Sequence, residues 1–154
     1  MIDVEIARQH DTPPVTDPRW EQAVRGILAA DGIREARISL AIVDDPTIHA
    51  MNRRYLDHDY ATDVLSFLLE REGDRLEGEV VVSGDTAARV AGQMGWSAAD
   101  ELLLYIVHGT LHLVGYDDQD ADSRREMRLQ EREHLGRFGL RPRYPEGTQE
   151  ADVH

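Results

Sequence analysis

The stretch AADELLLYIVHGTLHLVG at residues 98–115 decides the fold, because it is apolar on almost every side of a helix. Ser97, directly before it, is a preferred helix N-cap, and Gly115 is the kind of residue at which a helix ends. A helix with apolar residues all round is stable in water only when other elements enclose it. We therefore expect this helix to lie at the centre of the protein.

The same helix carries a pair of histidines, His108 and His112. A spacing of four residues puts both imidazoles on one helix face, one turn apart, where they can bind one metal ion. After Gly115 the chain can fold back and present the carboxylate of Asp117 or Asp118. Two histidines and one carboxylate, with a position left for water, form a catalytic rather than a structural zinc site. Both histidines are therefore candidate catalytic residues, and the spacing leaves both aspartates open as the third ligand.

A histidine pair with this spacing also occurs in zinc proteases, where a glutamate directly after the first histidine is the general base. Here Gly109 occupies that position. A metalloprotease or another metal hydrolase therefore stays an alternative, but its catalytic base is missing.

The composition narrows the classes of function. The chain has no cysteine, which excludes disulfides, thiolate metal ligands and thiol nucleophiles. Its net charge of -13 argues against a protein that coats nucleic acid non-specifically, although a local cationic groove remains compatible with it. The apolar runs are too short to span a bilayer, and the acidic N-terminus is unlike a signal peptide. We expect a cytoplasmic protein with no membrane contact.

Strand and helix signals intermix on the N-terminal side of the central helix. Short apolar or alternating stretches predict strands at residues 2–8, 36–43, 64–69 and 79–83. The polar segment REGDRLEG at 71–78 predicts a hairpin between the last two of these strands.

Prolines predict the start of one helix near Pro18 and of another after Pro46. Asp85 is the predicted N-cap of a third helix, which reaches about Met94. The charged segment at 120–136 predicts a final helix with a narrow apolar stripe of Met127, Leu129 and Leu135.

Together these elements predict an α+β fold with a small mixed four-stranded sheet packed with about five helices. The buried central helix carries the histidine pair. The length of 154 residues fits one domain. We expect a single catalytic domain at residues 1–140 and a loose C-terminal tail at 141–154.

Two sequence blocks resemble the YbeY family of endoribonucleases. HGTLHLVGYDD at 108–118 is similar to the family signature HGxLHLxGYDH. MNRRYLDHDYATDVLSF at 51–67 resembles a second family block, and GEVVVS at 78–83 resembles the family's GDIxIS strand. The second block matches at Asn52, Tyr55, Asp59, Thr62, Asp63, Val64, Leu65, Ser66 and Phe67. The order of elements agrees over roughly residues 1–137.

The resemblance implies a metal-dependent enzyme that cuts single-stranded RNA and acts in small-subunit rRNA maturation and ribosome quality control. The implied partners are single-stranded RNA, small-subunit rRNA and the ribosome, and no DNA substrate is expected. A zinc ion would be held by His108, His112 and Asp118, which stands where the family has its third histidine. Asp117 matches an ordinary family aspartate, which places Asp118 ahead of it as ligand. A carboxylate ligand should leave the metal-bound water less acidic than a third histidine does.

Two further positions depart from the family pattern. Leu56 replaces a family arginine that would bind the scissile phosphate, so Arg53, Arg54 or a basic side chain from elsewhere in the chain would have to take over that role. Glu79 replaces the aspartate of the GDI strand. The departures motivate an alternative function, a ribosome-associated assembly or binding factor with weak or no nuclease activity.

The remaining candidates for substrate binding are the matched residues Thr62, Asp63 and Ser66 in the second block. We expect the other histidines His49, His58 and His134 to be surface residues.

Overall fold

Nine elements follow one another in the residues that the computed structural model describes, which are 1–11, 13 and 16–144. The strands are β1 (Ile2–Arg8), β2 (Glu35–Val43), β3 (Val64–Glu72) and β4 (Arg75–Ser83). The helices are α1 (Pro18–Ala30), α2 (Asp45–Leu56), α3 (Gly84–Met94), α4 (Ala98–Leu113) and α5 (Ala121–Gly136). Within these described ranges no helix is both long enough and apolar enough to cross a bilayer.

The four strands form one mixed sheet in the order β1-β2-β4-β3. β2 pairs in parallel with both β1 and β4, while β3 runs antiparallel to β4. The predicted α+β fold, with its small mixed four-stranded sheet and five helices, is therefore confirmed.

The hairpin between β3 and β4 is tighter than the polar segment at 71–78 suggested. β3 continues to Glu72 and β4 begins at Arg75, so the turn contains only Gly73 and Asp74. Gly73 has a φ of 58°, a conformation that glycine adopts without strain. The end of β3 was missed because it is exposed and polar, and therefore carries no alternation of apolar and polar residues. The start of β4 does alternate in burial, but Leu76 is its one large apolar residue.

Helices cover both faces of the sheet. The main core joins the inward residues of β2 and β4, such as Leu40 and Val80, to α1 and α4. α2 covers the opposite face, where Ile48 packs with Val81 and Leu65 in a smaller apolar cluster. α4 is buried along nearly its whole length, as predicted for the central helix.

Gly109 allows α4 to lie directly against the sheet. A Cβ atom there would stand 2.7 Å from Val80 Cγ1 and 2.9 Å from Val64 Cγ2, closer than real Cβ contacts come. The Ser66 hydroxyl crosses the same gap and donates to the Gly109 carbonyl at 2.8 Å. The contact fixes the height of the two histidines above β3.

The start of α3 differs from the prediction. Ser83, rather than Asp85, is the N-cap, because its hydroxyl accepts the Thr86 N–H at 3.1 Å. The Asp85 carboxylate instead accepts the Asp45 N–H at 2.8 Å and contacts His10 Nε2 at 2.7 Å. Asp85 therefore ties three segments together, which its local sequence does not reveal.

α5 buries a different face from the predicted one. Met127 and Leu135 are buried, but Leu129 is 52% exposed. Glu131 lies between them on the buried face, because residues 127, 131 and 135 are spaced by four. His134 is buried as well, so its prediction as a surface residue is wrong.

Candidate metal centre

His108 and His112 meet the carboxylate of Asp118 at the C-terminal end of α4. The Nε2 atom of each histidine lies 3.6 Å from Asp118 Oδ2. The two imidazole centroids are 4.8 Å apart with an angle of 74° between the rings. One ligand atom from each residue lies within 4.8 Å of the others. The residues that were predicted as metal ligands are therefore brought together in space.

The backbone after α4 folds back to deliver Asp118. Gly115 adopts a φ of 110°, a backbone conformation that residues with a side chain rarely adopt. The Tyr116 N–H donates to the Leu111 carbonyl at 3.1 Å. Asp117 points away: its side chain accepts the Gln119 N–H at 3.2 Å and the residue is exposed. Of the two aspartates, the structure therefore brings only Asp118 to the histidines.

One oxygen of the Asp118 carboxylate faces the two histidines without a hydrogen bond to either. Its Oδ2 atom is buried and has no hydrogen-bond partner among the described residues, since 3.6 Å is too long for a hydrogen bond. Ligand atoms of a tetrahedral zinc ion with bonds near 2.1 Å stand about 3.4 Å apart. The observed spacing and the buried unpaired oxygen both fit a divalent metal ion.

Glu131 supports the cluster from behind. His108 Nδ1 donates to Glu131 Oε2 at 2.7 Å, which leaves His108 Nε2 on the Asp118 side. The other carboxylate oxygen, Oε1, accepts from Arg128 Nη1 at 3.1 Å and from the Tyr144 hydroxyl at 2.6 Å. A carboxylate behind a ligating histidine fixes its ring orientation and raises its basicity.

These contacts set the protonation of the metal-free cluster. Burial opposes the charged form of His108, but the nearby carboxylate of Asp118 and that of Glu131, which accepts the Nδ1–H, outweigh it and raise the pKa of His108 to about 9. Burial also opposes ionisation of Asp118, yet the two histidines hold its pKa well below the usual value. A proton therefore occupies the cluster at neutral pH, and a metal ion must displace it.

We predict that Glu131→Gln weakens metal binding by about 10–100-fold, because an amide is a poorer acceptor for the His108 N–H. Competition with a chromogenic chelator measures the affinity. Glu126→Gln is the matched control, since Glu126 is exposed on the same helix. Equal affinity in Glu131→Gln and the parent protein would contradict a role for Glu131 in holding the ligand.

A cleft of about 350 Å³ opens beside the two histidines. It lies between α2, the loop at 57–63, β3 and α4. Its lining residues are Asn52, Leu56, His58, Tyr60, Thr62, Val64, Leu65, Ser66, Leu68, His108, His112 and Leu113. Among the described residues no arginine lines it.

Some of the candidate substrate-binding residues lie at this cleft and others do not. Thr62 and Ser66 line the cleft, and the Asp63 carbonyl accepts the Ser83 N–H at 3.0 Å beside it. Arg53 and Arg54 instead line a separate groove on the outer side of α2.

Glu79 also lies away from the cleft. It pairs with Phe67 across the hairpin, and residues that pair in this way share a sheet face. Phe67 packs in the cluster under α2, on the face opposite α4. The structure therefore does not bring Glu79 to the histidines.

Sequence reasoning missed two residues at the site, Glu131 and Asn52. Glu131 sits four residues from both Met127 and Leu135, and this spacing on the apolar stripe could have identified it as buried. Asn52 is 1% exposed in the middle of α2. Asn52 matches the second family block and lies four residues after Ile48, and this spacing on one helix face could have identified it as buried.

The comparisons of this chain with known proteins agree on one family. A family model described as "Endoribonuclease YbeY" matches residues 5–139. A protein from Rhodopirellula baltica with that name is 46% identical over 71% of this chain, and the match covers 58% of that relative's length. A relative of the same name from Pelotomaculum thermopropionicum is 42% identical, and the match covers 77% of this chain and 84% of that relative. One from Salinibacter ruber is 36% identical, and the match covers 86% of this chain and 89% of that relative.

The fold has a counterpart among solved structures. The solution structure of TM1509 from Thermotoga maritima superposes with a TM-score of 0.59, covering 90% of this chain and 92% of that one. At 22% sequence identity this likeness concerns the fold alone.

Proposed function

This chain belongs to the endoribonuclease YbeY family, and we propose that it is a metal-dependent endoribonuclease that cuts single-stranded RNA. The observation that supports the metal dependence most directly is the His108, His112 and Asp118 cluster at the wall of an open cleft. Two nitrogens and one oxygen leave a further position for water or a phosphate oxygen, as catalytic zinc sites do.

The residues of the site would have separate roles. His108, His112 and Asp118 would hold the ion, and Glu131 would keep His108 oriented. A bound divalent ion would polarise the scissile phosphate and acidify a water molecule. Leu56 lines the cleft where the family pattern has an arginine, so the protein itself supplies no cationic side chain there among the described residues.

Zinc is the proposed metal, because histidine nitrogen and carboxylate oxygen form one of its usual catalytic ligand sets. The anionic Asp118 lowers the positive charge at the centre compared with a third histidine. The bound water should accordingly be less acidic, and harder ions such as Mn²⁺ should also be accepted.

The proposed substrate in the cell is small-subunit rRNA, met on the ribosome in the cytoplasm. The net charge of -13 disfavours non-specific binding along an RNA backbone. Recognition should therefore depend on local contacts at the cleft. We expect no cleavage of DNA.

We predict that metal removal abolishes cleavage of an end-labelled single-stranded RNA and that zinc restores it. The test compares the purified protein before chelation, after chelation with EDTA, and after addition of zinc or Mn²⁺. A duplex RNA and a DNA of the same sequence are the substrate controls. Cleavage that survives complete chelation would contradict a metal mechanism.

The same experiment decides between the two functions considered. A metal-loaded protein that binds single-stranded RNA without cutting it would be a binding or assembly factor, and the proposed nuclease activity would be wrong. Cleavage of unfolded protein, lost on chelation, would instead support the metal hydrolase alternative.

A further inference from the structure

The cleft beside the metal centre has two walls of different chemistry. Val64 and Leu113 make the wall beside α4 apolar, and the loop at 57–63 contributes the rings of His58 and Tyr60. Its volume of about 350 Å³ is within the range of small-molecule sites. The cleft can therefore enclose a group of moderate size beside the ligating histidines.

His58 and Tyr60 form a parallel stack. Their ring centroids are 5.4 Å apart, the angle between the planes is 11°, and the Tyr60 hydroxyl is 3.3 Å from His58 Nδ1. Tyr60 is 55% exposed, although a large aromatic side chain gains by burial. A flat aromatic ligand can extend such a stack, as nucleobases do on aromatic side chains in proteins that bind single strands.

Asn52 adds a hydrogen-bond acceptor to this cleft. Its Nδ2 group donates to the Tyr60 carbonyl at 3.0 Å, which identifies the other amide atom as Oδ1. Oδ1 is buried and has no hydrogen-bond partner among the described residues. A buried acceptor without a donor is costly, so a ligand that brings an N–H group gains by pairing with it.

The cleft is poorly suited to bind a phosphate by itself. Leu56 is 44% exposed at its edge, and the nearby arginines of α2 line another groove. A phosphate needs cationic or N–H donors. Apart from the imidazoles of His58, His108 and His112, this surface offers mainly apolar side chains and the hydroxyls of Thr62 and Ser66, the second of which already donates to the Gly109 carbonyl.

We propose that this cleft holds one unstacked nucleobase of the RNA next to the cleaved phosphate, stacked on the His58–Tyr60 pair and hydrogen-bonded through an N–H group to Asn52 Oδ1. The proposal rests on the proposed RNA substrate and specifies how the strand is held. The chain would recognise a base where the family pattern implies a cationic contact with phosphate. A base inside a duplex cannot enter the cleft, which accounts for a requirement for single strands.

Nucleotide binding to the zinc-loaded protein tests the proposal without requiring cleavage. Affinities for the four nucleoside 5′-monophosphates and for ribose 5-phosphate are measured by NMR titration. Both kinds of probe carry a phosphate that can reach the metal, so the difference between them reports the base alone. At least one nucleotide should bind about tenfold more tightly than ribose 5-phosphate.

Tyr60→Ala should remove that difference, with about a tenfold loss in nucleotide affinity and no change for ribose 5-phosphate. The variant should fold, because Tyr60 is exposed and Asn52 binds its backbone carbonyl, which alanine keeps. Tyr55→Ala is the matched control, because Tyr55 is 57% exposed at the end of α2, five residues before Tyr60, but does not line the cleft. Purine riboside monophosphate, which lacks an N–H donor, should bind about fivefold more weakly than adenosine monophosphate.

The outcomes separate this proposal from the proposed function. Equal affinity for nucleotides and ribose 5-phosphate would overturn the base site, even if the protein cuts RNA. Equal loss in Tyr60→Ala and Tyr55→Ala would also overturn it. Base-dependent binding that requires Tyr60, in a protein that cuts no RNA, would support the base site and contradict the nuclease activity.

Discussion

His112→Ala should lose bound zinc and with it the cleavage of single-stranded RNA. The imidazole of His112 supplies one of the protein ligands of the proposed site, so we expect metal affinity to fall by more than about 100-fold. Its side chain is 30% exposed, and after its removal His108 still lies beside the Asp118 carboxylate. The fold should therefore survive, and the loss of activity can be assigned to the metal site.

His112 is a cleaner position for this test than His108. Removing His108 would leave Oε2 of the buried Glu131 carboxylate without its histidine partner and would destabilise the core as well. His49→Ala is the matched control, because His49 is a partly exposed histidine on α2, outside the cleft. Metal content by mass spectrometry, RNA cleavage and thermal unfolding are measured for each protein. Unchanged zinc content and cleavage in His112→Ala would remove the basis for the proposed site.

Gly109→Glu should destabilise the protein severely. The new Cβ would stand 2.7 Å from Val80 Cγ1 and 2.9 Å from Val64 Cγ2, on two strands that cannot move independently. Overpacking of this kind costs about 1–3 kcal/mol, and a carboxylate between helix and sheet adds a further desolvation cost. We expect a loss of at least about 4 kcal/mol, which corresponds to a fall of about 10 °C or more in melting temperature.

This substitution creates the glutamate that the protease motif requires, so it also tests that alternative. Gly92→Glu on α3 is the matched control, because a Cβ there meets no atom within 4 Å. The control should melt at or above the temperature of the parent protein, since glutamate favours helix more than glycine does. A stable Gly109→Glu protein would show that α4 can move away from the sheet. The close packing would then not be the reason why position 109 needs a glycine.

Much of the fold was predictable because local patterns carry it. The apolar run of α4, the Ser97 cap and the proline at each of two helix starts correspond to observed helix boundaries. The exposed end of β3, the start of β4 and the start of α3 were not predictable in this way. Their signals depend on partners distant in sequence, such as the contact between Asp85 and His10.

The candidate site shows the same division. His108 and His112 share a helix face, so their proximity follows from helical geometry. Arg53 and Arg54 lie close in sequence to cleft residues, and Glu79 pairs with a neighbouring strand, but all occupy other surfaces. Their placement depends on which side of a helix or strand faces the core.

The sequence by itself determined the central helix, its histidine pair and the choice of family, because each depends on residues a few positions apart. The family resemblance already placed Asp118 ahead of Asp117. Only the tertiary structure brought the Asp118 carboxylate to the histidines, placed Glu131 behind His108 and left Asn52 Oδ1 without a partner among the described residues. Those relations join separate elements across the core. Their physical cause is packing, which decides which polar groups are buried together and which carboxylate the chain brings to the histidines.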